Sequence, residues 1–517
     1  MDAQERQVVG VVGAGVMGRG IAQTAAQAGL RVLMFDTLPG AAVKARAAIG
    51  EMLARQVEKG RLEGPAAAAT LERLIVVESL EQFRPCAFVI EAIVEQLEAK
   101  RALFGQLEQA VGDQCILATN TSSLSVTSIA AACRRPGRVA GFHFFNPVPL
   151  MKVVEVVAGP MTEGATTETL VALAQRMGHA PVRAADTPGF IVNHAGRAFG
   201  TEALQILREG VAGYQEIDRI LCESAGFRMG PFELLDLVGL DVSHAVMESI
   251  YRQYYEEPRY RPSPIAAQRV AAGLLGRKSP NGGFYRYGPD GATKTTAASS
   301  ATQSPAAAAE AATPEAATPP VWVSRQGLGE TLRAALTGLA AAVETGEHPG
   351  DHALILCAPL GEDATTAATR EGLDPGRTVA VDALFGLSGR RTIMTTPITR
   401  GAYRDAARAL FGHGSAPVSV IRDSAGFVAQ RVVAHVVNIG CDIAQQRIAS
   451  PADIDRAVAL GLGYPRGPLA WGDALGPTKI LAILDAMFEA TRDPRYRASP
   501  WLRRRAALGV SLSTLED

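Results

Sequence analysis

Short apolar runs alternate with longer helical patterns through the first third of this chain, the sequence form of a parallel sheet with crossover helices. Val8 to Val12 reads as a strand, and the helical pattern after it runs through Ala28 to a stop at Gly29. Arg31 to Phe35, Leu74 to Val77 and Phe88 to Ile90 read as further strands, as does Ile116 to Ser123, which ends in small polar residues, with an alanine-rich helical stretch between Asp36 and Arg73. Val153, Val154, Val156 and Val157 also read as a buried strand, but Glu155 interrupts them. A carboxylate in that setting is costly unless a partner compensates its charge. His143, twelve residues earlier within GFHFFNP, is the candidate partner. A carboxylate behind an imidazole fixes the tautomer and stabilises the imidazolium, which a general base near neutral pH needs. Taken alone, such a histidine is more often structural, so the flanking chain has to decide.

Between the first strand and its helix stands Gly13-Ala14-Gly15-Val16-Met17-Gly18. Gly13 permits the tight turn, Gly15 lets backbone approach a pyrophosphate, and Gly18 lets helix pack closely on strand, with the helix N-terminus facing the anion. Asp36, at the end of the second strand, follows at the interval where an acid meets the adenosine ribose hydroxyls, and it favours NAD over NADP by repelling a 2′-phosphate. The helix opening at EAIVEQLEAK and the polar stretch around Ser122 both follow strand ends, where ligands sit in an open parallel sheet. Ser122 is placed either to reach a substrate oxygen or to cap the helix beginning near Val126. In DTPGFIVN, Pro188 and Gly189 mark a helix entry and Asn193 falls in its early turns, as a substrate donor or a satisfied core amide. Lys59 could meet a nucleotide phosphate of a carrier group, although a solvated lysine is the commoner state in such a helix.

The composition changes over 290–320 to alanine, threonine, serine and proline, too little apolar bulk for a core and the signature of a flexible linker. Beyond it the earlier pattern returns. Asp423 to Val428 matches Asp186 to Ile191, Ile454-Asp455 matches Ile217-Asp218, and Gly467 to Asp473 matches Gly230 to Asp236, all at one offset of 237 residues. Gln430 takes the place of Asn193, and neither the glycine loop nor GFHFFNP recurs, so the second half is expected to be catalytically silent. Short apolar runs between 321 and 420 suggest a shrunken α/β remnant.

A chain of 517 residues predicts about three domains, and 47% apolar with 20% charged residues is an ordinary globular balance. A net charge of -1, without a basic face, argues against nucleic acid as a partner. No apolar run reaches membrane-spanning length, and the start of the chain carries no signal or transit pattern. The six cysteines lie far apart in no metal-ligand or disulfide pattern, so no metal is expected and a reducing cytoplasm fits.

In this order and spacing, GAGVMG, EAIVEQLEAK, NTSS, GFHFFNP, MKVVEVV and DTPGFIVN closely resemble the L-3-hydroxyacyl-CoA dehydrogenase family, over residues 6–288. The resemblance implies an α/β Rossmann-type dinucleotide-binding domain followed by an all-α helical domain, here with a second, degenerate copy of the helical domain at the C-terminus. The expected division is 1–185 for NAD, 186–289 for the helical substrate domain, 290–320 as linker, 321–420 as α/β remnant and 421–517 as second helical domain. Motif by motif, it implies His143 as general base, Glu155 as its orienting carboxylate, and Ser122 and Asn193 as partners of the reacting oxygen. Glu95, Lys100, Ser122, Asn146 and Lys278 would contact the nicotinamide nucleotide, and Gly13 to Gly18 with Asp36 the rest of NAD. Family members dimerise through the helical domain, which implies an internal pseudo-dimer here, and leaves a homo-oligomer open. The implied activity is NAD-dependent oxidation of an L-3-hydroxyacyl-CoA. The long, duplicated form resembles bacterial members of the family that act on 3-hydroxyadipyl-CoA in phenylacetate breakdown, and that resemblance implies this substrate, with a 3-hydroxybutyryl or medium-chain substrate as the alternative. A non-catalytic NAD-binding structural protein is the distant alternative, and the intact set of His143, Glu155, Ser122 and Asn193 argues against it.

Overall fold

The computed structural model describes residues 8–288, 294–295, 319–337 and 343–516, so most of the 290–320 segment lies outside the described residues. Two compact units make up the chain. One comprises Met1–His194 with Ile443–Gly463, the other Ala195–Asp442 with Tyr464–Asp517.

The first unit is built on an eight-stranded sheet of β1 (Val8–Val12), β2 (Arg31–Phe35), β3 (Leu74–Val76), β4 (Phe88–Glu91), β5 (Ile116–Thr119), β6 (Val139–Phe144), β7 (Val153–Ala158) and β8 (Ala180–Ala185). Its order is β3-β2-β1-β4-β5-β6-β7-β8, so the chain reverses its direction of spread between β1 and β4. Neighbours are parallel except β6 and β7, which are antiparallel. Both faces are covered, as a parallel sheet requires. Val9 and Val11 point into a core with Ile21, Ile49 and Leu170, whereas Val12 points into a second core with Phe104 and Leu107. The predicted first helix forms as Val16–Gln27, and the alanine-rich stretch is two helices, Ala41–Glu58 and Gly64–Glu72.

In the second unit, Arg286–Tyr287 (β9) pairs with Lys294–Thr295 (β10) as a short ribbon. A five-stranded sheet follows, of β11 (Val321–Gly327), β12 (Leu354–Ala358), β13 (Thr378–Val381), β14 (Arg391–Thr395) and β15 (Val418–Ile421), in that order. Only β13 and β14 are antiparallel, so this sheet repeats the directions of β4 to β8, and among the described residues it has no counterparts of β1 to β3. β14 pairs with β15 in the same register as β7 with β8. The helices repeat as well: Tyr214–Glu223, Pro231–Val238 and Leu240–Gln253 begin 237 residues before Pro451–Gly461, Pro468–Leu475 and Pro477–Thr491. Duplication therefore reaches back through half a sheet, beyond the helical segment alone.

Candidate active site

The loop between β1 and its helix has the geometry its glycines predict. Gly13 sits at φ +97°, and a Cβ there would lie 2.4 Å from the Ala92 carbonyl oxygen. A Cβ on Gly18 would lie 1.8 Å from the Gly13 carbonyl oxygen, so helix and loop can meet only at glycine. Gly15 faces open space, with nothing within 4 Å of its Cβ position, and it begins the Val16–Gln27 helix without a side-chain cap. Open, uncapped amides at a helix N-terminus suit an anion. At the end of β2, Asp36 accepts from Ala14 N at 2.7 Å and from Leu38 N at 2.8 Å, which ties the loop to the acid expected to face ribose. These features stand at the point where the sheet reverses direction, the usual place for a dinucleotide, and the residues fit NAD.

A buried ionic cluster lies on the other side of that point. Glu91, fully buried at the end of β4, accepts from Ile93 N at 2.7 Å, Lys100 Nζ at 2.6 Å and Thr119 Oγ1 at 2.7 Å. Lys100 also meets Glu95 at 3.2 Å and is itself buried. Glu95 in turn accepts from Thr121 Oγ1, Ser122 N, Ser123 N and Ser123 Oγ at 2.7–3.1 Å, which shapes the loop carrying Ser122. Burial pushes the Glu95 carboxyl up, but Lys100 and these donors outweigh it and hold the group below its ordinary range. Ser125, rather than Ser122, caps the next helix, accepting from Ser128 N. Asp186 binds that helix start through Val126 N, Thr127 N and two hydroxyls. The sequence reading gave Glu91 and Asp186 no role; Glu91 carried the same signal as Glu155, a carboxylate closing an apolar strand.

His143 and Glu155 are direct cross-strand partners on the antiparallel β6·β7 pair. His143 Nδ1 lies 2.6 Å from Glu155 Oε2. The other carboxylate oxygen accepts from Ile191 N and Val192 N, both at 2.9 Å. A carboxylate can only accept, so Nδ1 carries the proton and Nε2 is left as the basic nitrogen. Phe145 and Phe190 flank the imidazole at 4.4 and 5.8 Å between ring centres. Asn193 Nδ2 donates to the Ser122 carbonyl at 3.4 Å, so the two residues expected at the reacting oxygen are neighbours.

Models of the two halves of one enzyme match this chain: the 3-hydroxyacyl-CoA dehydrogenase NAD binding domain over residues 8–187, and its C-terminal domain over 189–287 and again over 426–512. The chain belongs to the 3-hydroxyacyl-CoA dehydrogenase family. It is an NAD-dependent oxidoreductase of that type. A 3-hydroxyadipyl-CoA dehydrogenase of Escherichia coli (strain K12) is 37% identical over 503 residues, covering 97% of this chain and 98% of that protein. A probable 3-hydroxybutyryl-CoA dehydrogenase of Deinococcus radiodurans is 42% identical over 278 residues, 54% of this chain and 99% of that protein. The crystal structure of a 3-hydroxybutyryl-CoA dehydrogenase from Escherichia coli K12 superposes with a TM-score of 0.82 at 35% identity, covering 97% of this chain and 98% of that one.

Three further positions expected in this dehydrogenase site are exposed side chains. Lys59 is exposed at the end of the Ala41–Glu58 helix, Asn146 is exposed in the loop after β6, and Lys278 is exposed in the second unit. The repeat carries Glu155 onto Thr392, and the residue opposite Thr392 across β13·β14 is Asp382, whose amide donates to the Thr392 carbonyl at 3.0 Å. No imidazole–carboxylate pair remains there. Gln430, at the place of Asn193, spends its amide on Gly361 N, Pro359 O and Asp382 Oδ1 at 3.0–3.2 Å. Burial pushes the Asp382 carboxyl up to about 6. Among the described residues, no group of side chains could hold a metal ion and no helix is long and apolar enough to cross a membrane.

Proposed function

We propose that this enzyme oxidises 3-hydroxyadipyl-CoA to its 3-keto form in phenylacetate breakdown, with His143 as general base. The observation that carries the chemistry is the 2.6 Å contact of His143 Nδ1 with a fully buried Glu155. His143 Nε2 takes the 3-hydroxyl proton, and Glu155 stabilises the resulting imidazolium. Ile191 N and Val192 N hold that carboxylate, so the imidazole is oriented before substrate arrives. Ser122 Oγ and Asn193 Nδ2 are the donors assigned to the reacting oxygen. NAD, when bound, supplies the acceptor for the C3 hydride. Gly13, Ala14, Gly15, Val16, Met17, Gly18 and Asp36 are assigned to the cofactor's pyrophosphate and ribose. Glu95, Lys100, Ser122, Asn146 and Lys278 are assigned to its nicotinamide half, and Lys59 to a phosphate of CoA.

The dicarboxylate reading is supported by the full-length match to the Escherichia coli 3-hydroxyadipyl-CoA dehydrogenase, which spans the duplicated half as well. The 3-hydroxybutyryl name carried by a solved full-length relative favours the short-chain alternative. NADH formation from each CoA ester decides between them: a large kcat/KM advantage for the dicarboxylate supports the first reading, and preference for the short chain replaces it. The two helical copies are assigned to an internal pseudo-dimer. Reciprocal contacts support this: Arg259 Nη2 donates to the Arg497 carbonyl at 2.9 Å and Arg495 Nη2 to the Arg261 carbonyl at 3.3 Å. A chain truncated at Pro289 that stayed soluble, monomeric and fully active would overturn that assignment. The six free cysteines are consistent with a reducing cytoplasm.

A further inference from the structure

Residues Ile443–Gly463 come from the repeat without a catalytic pair, yet they cluster with the unit that holds His143 and Glu155. Two features join them to the sheet. At the edge, β8 would leave a row of unpaired amides, and the second-copy segment covers them. Ala185 N donates to the Ile448 carbonyl at 2.8 Å, and Arg183 N lies 3.4 Å from Asp453 Oδ2. On the face, the Pro451–Gly461 helix packs across β7 and β8 and ends at Gly461.

Gly461 is where this packing reaches the chemistry. A Cβ there would lie 2.9 and 3.0 Å from the two methyls of Val192 and 3.3 Å from a methyl of Val153. Val192 is fully buried, and its amide is one of the two that hold Glu155 Oε1. Val153 begins the strand on which Glu155 sits. The helix end therefore presses on both elements that fix the carboxylate, and a glycine is what lets it come that close.

We propose that the C-terminal repeat is a positioning element of the catalytic site, with Gly461 setting the place of Val192 and through it the Glu155–His143 pair. This rests on the reading of Glu155 as the orienting carboxylate. It gives the repeat a function for turnover that pairing of the helical copies does not require: part of it completes the wall behind the general base. Sub-ångström displacement of a reacting group is enough to lower a rate strongly.

The test is Gly461→Val in the full chain, measured for kcat, for NAD affinity by binding, and for Tm. The expected result is a kcat lower on the order of tenfold, with NAD affinity within about twofold of wild type, because the glycine loop and Asp36 lie at the other end of the sheet. Adding Val192→Ala, which removes the methyls that the new side chain meets while keeping the amide, should recover most of the lost kcat. If Gly461→Val does not fold, Gly461→Ala asks the same question with a smaller intrusion and an expected loss of about threefold. Unchanged kcat in a folded variant overturns the proposal, as does a loss of kcat that Val192→Ala does not relieve. Glu155→Gln run alongside separates the two levels. If it too leaves turnover intact, the catalytic pair was misassigned. If it is impaired while Gly461→Val is not, only the positioning role fails.

Discussion

Replacing Asp382 by asparagine should stabilise the protein, and the gain should depend on pH. Asp382 lies opposite Thr392, as His143 lies opposite Glu155, and its buried carboxyl is pushed up to about 6 by desolvation, against the pull of Gln430 and the Leu384 amide. A carboxyl with a raised folded-state pKa opposes folding once it must ionise. Below about pH 4 both states hold the proton and nothing is lost. Between about pH 4 and 6 the unfolded chain releases its proton while the folded chain keeps it, so stability falls. Above that window the penalty levels off. A displacement of about two pKa units corresponds to ~3 kcal/mol at pH 8 and roughly half of that at pH 5. Asparagine keeps the size and the acceptor for Gln430 Nε2 and Leu384 N but has no charge to bury. Denaturant unfolding of wild type and Asp382→Asn at pH 5, 6.5 and 8 measures this, with turnover expected to be unchanged because the catalytic pair lies in the other unit. A gain that is the same at every pH, or a loss at pH 8, would refute the account of Asp382 as a buried carboxylate in strain.

Other expectations concern the first unit. His143→Gln should cut turnover by roughly 100-fold to 10,000-fold and leave NAD affinity unchanged; near-normal turnover would remove the general-base assignment. Glu155→Gln should lower kcat more than NAD affinity, since the amide replaces a charge facing the imidazolium, and equal loss of both would count against the orienting role. Gly15→Ala and Gly18→Ala should separate cleanly. The first has open space and an ordinary φ, so Tm holds while NAD affinity drops; the second drives a methyl into the Gly13 carbonyl and should lower Tm as well. Binding measurements beside thermal melts of the two variants check this.

Much of the first sheet is legible because its buried strands are nearly pure apolar runs: VVGVV, RVLMF and ILAT need no context. β8, APVRAA, and β15, VSVI, are short and mixed with small or polar residues, and nothing local separates them from loop. Glu155 could be found since a charge inside a valine run demands a partner, and one histidine lay within reach. Its two amide donors could not, because backbone groups leave no mark in sequence. Glu91 was within reach of the same reasoning, having FVI before it, but its partner Lys100 reads as an exposed helical lysine until the fold buries it. The docking of Pro451–Gly461 on β7 and β8 links segments some 270 residues apart, and its one trace is a glycine at a helix end, where glycine is common anyway.

Divergence between the two copies has allowed a contact that two identical chains could make only in duplicate. Glu202, fully buried, accepts from Arg431 Nε at 2.8 Å, Tyr496 OH at 3.0 Å and Arg495 Nη1 at 3.1 Å. The repeat places Ile439 where a second Glu202 would stand and His194 where a second Arg431 would, so the network exists once. Burial pushes the Glu202 carboxyl up, but Arg431 and Arg495 outweigh it and hold it below its ordinary range. Such a pair is strongly coupled: removing one member strands the other without water. Arg431→Met should therefore destabilise the second unit by about 3–5 kcal/mol, with Glu202 left underpaired. Replacing Glu202 by leucine together with Arg431 and Arg495 by methionine removes all three charges and should recover most of that loss, since packed apolar groups of similar volume commonly match a buried ion cluster. Denaturant midpoints of the single and triple variants decide it. A triple variant no more stable than Arg431→Met would mean that the packing around these side chains, rather than their charge, holds the two copies in register.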